Sequence, residues 1–81
     1  PEAAAITREF MSKRLMEPLV RELGSDRPAL RADLVAAHLM GLGIARYVLG
    51  LEALAATPSE TVVATVAPTL QHYLTGELPA G

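Results

Sequence analysis

Few residues in this chain of 81 could do chemistry, and they are widely spaced. Arg46 is the only Lys, Arg, Asp or Glu between Leu34 and Leu51. A charge in apolar surroundings is costly unless it is paired. Arg46 therefore reads in several ways: a contact to a small ligand, an intersubunit ion pair, an ordinary ion pair with Glu9, Glu17 or Glu52, or a guanidinium that reaches water along its stem. His38 and His72 are the only histidines, and there is no cysteine. Two histidines without a carboxylate at ligand spacing make a weak metal set, so no metal is expected and both read as polar positions at helix flanks. The absence of cysteine excludes a disulfide scaffold and a thiolate zinc site. No nucleophile, base and orienting group recur in a workable arrangement. Gly41 and Gly43 are no phosphate loop, because they lie inside a helical pattern and follow no strand. No enzyme activity and no cofactor are expected; the chemistry left open is binding.

The elements that must position these residues are helical, with no period-2 stretch long enough for a strand. The pattern predicts an all-α fold of three antiparallel helices, at about 2–23, 27–50 and 58–75. In the first, Ile6, Phe10, Met11, Leu15, Leu19 and Leu23 recur at helical spacing, and Gly24 is a natural stop. Pro18 should bend this helix, or the helix breaks at Glu17 and restarts with Pro18 in its first turn. Its charged residues Arg8, Glu9, Lys13, Arg14, Glu17, Arg21 and Glu22 read as a solvated face with opposite charges about a turn apart. Ser25 and Asp26 signal the start of the second helix, with Pro28 in its first turn. Thr57-Pro58-Ser59-Glu60 reads as a capping box that opens the third, and Gly76 ends it. Pro68 should bend that helix near Ala64.

The second helix is apolar on nearly every face from Leu34 onward. Leu30, Leu34, Ala37, Gly41, Ala45 and Val48 form one stripe, in which Ala37, Gly41 and Ala45 make a shallow groove. A helix apolar all round is a buried helix, yet only two others are at hand to cover it. Glycine inside a helix costs about 1 kcal/mol relative to alanine, which close packing at Gly41 and Gly43 could offset, within the chain or between subunits. Apolar residues make up 51% of the chain and charged ones 20%, in a length that is marginal alone. A homodimer is the commonest outlet for such an excess. Net charge is −2 without a basic stripe, which argues against direct nucleic-acid binding. No stretch makes a good membrane span and there is no signal peptide; a cytoplasmic location is expected. The start at Pro1 suggests a piece of a longer chain.

Two stretches carry a resemblance. One is Leu39-Met40-Gly41-Leu42-Gly43-Ile44-Ala45-Arg46-Tyr47-Val48-Leu49 with Leu51-Glu52 and an Ala-rich turn. The other is Ala67-Pro68-Thr69-Leu70-Gln71 followed by Tyr73-Leu74-Thr75-Gly76. Together with Arg8-Glu9-Phe10, Leu15 and Leu19 in the first helix, the chain resembles the C-terminal regulatory domain of tetracycline-repressor (TetR) type transcription factors over almost its whole length. The resemblance implies a domain that binds a small apolar effector and dimerises, its last two helices pairing with those of a second copy in a four-helix bundle. It also implies that operator DNA is bound by an N-terminal helix-turn-helix, and nothing like one is present among residues 1–81.

On this reading the chain is the dimerisation and effector-sensing part of a one-component repressor. The candidate dimer interface is Ala37, Gly41, Ala45 and Val48 with Val63, Val66, Leu70 and Tyr73. Candidate ligand contacts are Phe10, Met11, His38, Leu42 and Arg46, which lie near the surface shared by the first two helices. The alternative is a stand-alone helical module that packs on a different protein and needs no two-fold axis.

Overall fold

A computed structural model describes residues 2–9, 14 and 16–81. Its α-helices are α1 (Glu2–Arg8), α2 (Glu17–Glu22), α3 (Pro28–Gly43), α4 (Glu52–Ala56) and α5 (Ser59–Thr75). A π-helical segment, Ile44–Val48, continues α3. No strand occurs among the described residues, so the fold is all-α.

The first predicted helix is represented by α1 and α2. Pro18 falls in the first turn of α2, where a missing backbone N–H costs nothing. Gly24 follows α2 at φ +73°, the left-handed conformation that only glycine takes without steric cost. Glu17 departs from the expected solvated face. It is buried, and its Oε1 accepts from the Arg21 guanidinium one turn on.

The second helix starts at Pro28, but Ser25 and Asp26 do not cap it. The residue before Pro28 is Arg27, whose backbone is left-handed at φ 47°. Ser25 Oγ instead donates to the Leu74 carbonyl at 2.9 Å. Directly after Gly43 the helix widens. The Leu49 N–H reaches the Ile44 carbonyl at 2.8 Å, and the Leu51 N–H reaches that of Ala45 at 2.9 Å. The two glycines before this segment have the weakest helix propensity short of proline, which leaves the ladder locally easy to re-register. Gly50, at φ +62°, closes it.

The connection to the third predicted helix is itself partly helical, as α4. Its Ala-rich composition suits a helix, and the capping box is lost to it: the Thr57 hydroxyl donates back to the Ala53 carbonyl at 2.7 Å. Pro58 becomes the residue preceding α5 and offers no side-chain cap. α5 runs through Pro68 and ends at Gly76 in extended backbone. The glycine is required there by proximity, since an added Cβ would lie 2.7 Å from the His72 carbonyl oxygen.

The core joins Val20 of α2, Ala32, Val35 and Ala36 of α3, and Val62 of α5. α3 and α5 are antiparallel. Arg31 near the start of α3 reaches Tyr73 near the end of α5, while Arg46 beyond α3 reaches Ser59 at the start of α5. The chain is open for its length. Its radius of gyration is 14.1 Å, against about 12 Å for a compact domain of this size. Its accessible surface is 5787 Å², against roughly 4,700 Å² for a folded monomer of this mass.

Candidate association surface and cleft

Exposed large apolar side chains occur at Ile6, Leu19 and Leu23 in the first part of the chain, and more of them on α3 and the segments that follow it. Leu30, Leu39, Met40 and Ile44 are exposed, and Tyr47 and Val48 are each 75% accessible. Leu49 and Leu51 continue the patch along the chain, and on α5 Val63 is 66% accessible. The second helix, expected to be covered all round, is thus covered on one face only. The reason is geometric: α2 and α5 reach the face that carries Arg31, Ala32, Val35 and Ala36, and α1 stands off from α3 across an open cleft.

The candidate interface residues divide accordingly. Ala37, Gly41 and Val48 are exposed, Ala45 is half-buried, and Val63 points outward. Val66, Leu70 and Tyr73 are half-buried on the side of α5 that carries buried Val62. Tyr73 already has an intrachain partner: its ring meets His38 edge-on, with centroids 6.0 Å apart and planes at 61°. Among the described residues the two glycines make no tight contact, because a Cβ added at Gly41 or Gly43 would meet nothing within 4 Å. Close packing among the described residues therefore does not offset their intrinsic cost. In a variant held monomeric, Gly41→Ala is expected to raise stability by about 1 kcal/mol, read from thermal melts. If a second copy packs on this groove, the same methyl should weaken self-association.

A second feature lies between α1 and α3. It is an open cleft of about 940 Å³, with Ala4, Thr7 and Arg8 on one wall and Ala36, Ala37 and Met40 on the other. Glu9 and Asp33 supply carboxylates to it. Its size suits a drug-sized ligand. Of the candidate ligand contacts, Phe10 and Met11 lie outside the described residues. His38, Leu42 and Arg46 are half-buried and are not among the residues that line the cleft. Alanine and methionine on the α1-facing side of α3 were available as a signal, but the helical wheel alone does not say which neighbour occupies that side.

Arg46 is paired with a backbone carbonyl and a hydroxyl and not with Glu9, Glu17 or Glu52. Its guanidinium donates to the Leu54 carbonyl at 3.2 Å and to Ser59 Oγ at 3.3 Å. Its central carbon lies 5.5 Å from the Tyr47 ring centroid, within the range of a cation–π contact. It staples the π-helical segment to the α4–α5 connection.

Arg31 lies at the other end of α3. It is 2% exposed. Its Nε donates to the Asp26 carbonyl at 2.6 Å, one terminal nitrogen to the Tyr73 carbonyl at 2.9 Å, and the other to Asp26 Oδ1 at 2.7 Å. A cation at the last turn of α5 also complements the negative end of the helix dipole. The hydrogen bond from Arg31, helped by its charge and that of Arg27, holds the Asp26 carboxyl below its ordinary value. A lowered folded-state value means stability that is present above the unfolded value of 3.8 and lost as pH falls through the lower folded one. Asp26→Asn should therefore melt below the wild type at neutral pH, with the gap closing under acid titration followed by thermal melts.

Among the described residues no group of three or more His, Cys, Asp or Glu could hold a metal ion. No helix among them is long and apolar enough to cross a membrane. A family model described as "Tetracyclin repressor-like, C-terminal domain" matches residues 1–74. Comparison with curated proteins gives no match, and comparison with solved structures gives none.

Proposed function

The chain belongs to the tetracyclin repressor-like C-terminal domain family, and on that premise we propose that it is the dimer-forming, effector-sensing part of a one-component repressor. Operator DNA would be bound by a helix-turn-helix elsewhere in the full protein. The homodimer would form by laying the exposed faces of α3 and α5 against those of a second copy, in a four-helix bundle.

One observation carries this reading: the lone chain exposes about 1,100 Å² more than a folded monomer of its mass should. An obligate homodimer buries upwards of about 2,000 Å² in total, or half that from each copy. Surplus and requirement agree, and the excess is apolar at Tyr47, Val48 and Val63. Burial at about 25 cal/mol per Å² supplies the driving force. The effector is taken up beside α3, where the cleft toward α1 pairs an alanine and methionine lining with a few charged groups. That combination favours a mostly apolar small molecule with a polar end.

Sedimentation equilibrium of the chain tests the association. The monomer mass is 8.6 kDa; a species of twice that mass at low micromolar concentration is expected. A folded species that stays monomeric would sink the reading, and folding only upon addition of a different polypeptide would favour the stand-alone module.

A further inference from the structure

The loop between α2 and α3 holds more than the end of α5. Two of its side chains, together with Arg31 in the first turn of α3, reach backbone carbonyls between residues 73 and 79. Arg31 takes that of Tyr73, Ser25 that of Leu74, and Arg27 those of Leu78 at 3.2 Å and Pro79 at 2.9 Å. Asp26 sits between the two arginines, 2.7 Å from Arg31 and 3.5 Å from Arg27. The carbonyls of Leu78 and Pro79 lie beyond α5, in a segment with no regular structure.

Arg27 occupies an unusual place. Its backbone is left-handed, and it is the only non-glycine residue with positive φ among the described residues. A side chain there is strained, whereas glycine would not be. The position before a helix is also one where Ser, Thr, Asp or Asn would satisfy free N–H groups, and Arg27 makes no such bond. What its side chain does is hold the segment after α5.

We propose that residues 77–81 form a releasable strap, and that Arg27 is the positioning residue that keeps it closed over the α2–α3 loop. The two arginines have separate tasks. Arg31 is buried and belongs to the fold, whereas the Arg27 side chain is about one-third exposed (32%) and, among the described residues, its ion pair and hydrogen bonds go to Asp26 and the strap. Opening the strap therefore leaves the α3–α5 contact in place, so the segment after α5 has two states within one folded domain.

Arg27→Gly separates these tasks, since it removes the guanidinium and relieves the backbone at once. The readout is cleavage after Glu77 by a glutamate-specific protease, resolved bond by bond by mass spectrometry, alongside thermal melts. In this variant cleavage after Glu77 is expected to rise roughly fivefold or more, as expected when local opening governs proteolysis. The melting temperature should not fall, and Arg27→Lys should give an intermediate rate. Unchanged cleavage after Glu77 would overturn the proposal, as would a melting temperature lowered with cleavage increased at every glutamate, because Arg27 would then be part of the fold.

Discussion

Val63→Glu is expected to turn the proposed dimer into a folded monomer. Val63 is 66% accessible in the single chain, so within one subunit a glutamate there stays in water and costs little. In the dimer the carboxylate would be buried against apolar side chains without a partner. The loss should match a central hot spot, about 3 kcal/mol, raising the dimer Kd roughly 100-fold or more. Sedimentation reads the Kd, and circular dichroism should report unchanged helicity. Leu70→Glu is a poorer probe. Leu70 is half-buried on the side of α5 that carries Val62, so its replacement disturbs the subunit as well as the pairing. A Val63→Glu chain with wild-type Kd would remove α5 from the interface.

Arg31→Met is expected to be the most damaging single change to the subunit itself. Methionine approximates the length of the stem but makes none of the three hydrogen bonds. Asp26 is largely exposed and can be solvated once its partner is gone, so little of the penalty falls there. The cost falls on the Tyr73 carbonyl, left facing an apolar side chain, and on the lost anchor between α3 and α5. About 2–3 kcal/mol is expected, or a melting temperature lowered by roughly 10–20 °C in a domain of this size. Arg31→Lys should recover only part of this, because one ammonium cannot span Asp26 and Tyr73 as the planar guanidinium does. A melting temperature within a few degrees of wild type would show that the clamp is dispensable.

The pattern of apolar residues was enough to place the helices, because α3 with its π-helical continuation and α5 are long and periodic and are bounded by Pro28, Gly50 and Gly76. It was also enough to show that the second helix has more apolar surface than its own chain can cover. Local capping chemistry was misread at both helix starts for the same reason. Ser25 and Thr57 are good N-cap residues, but each hydroxyl found a carbonyl elsewhere, on Leu74 and Ala53. The anchor that Arg31 makes to α5 was not legible because its acceptor there is the backbone carbonyl of Tyr73, 42 residues on, and a backbone oxygen carries no sequence signal. Arg46 was noticed for its isolation, but its partners, a carbonyl and a hydroxyl, could not be chosen over the carboxylates of Glu9, Glu17 and Glu52 without the path of the chain. The cleft required knowing which face of α3 looks toward α1.

The central claim is that the bare faces of α3 and α5 meet their counterparts in a second subunit. The most direct test is an isotope-filtered NMR experiment on an equal mixture of labelled and unlabelled chain, which records only contacts between copies. Intermolecular signals to the methyl groups of Val48 and Val63 are predicted. Their absence from a sample that sediments as a dimer, with signals only to Ile6, Leu19 or Leu23 on the first two helices, would contradict it.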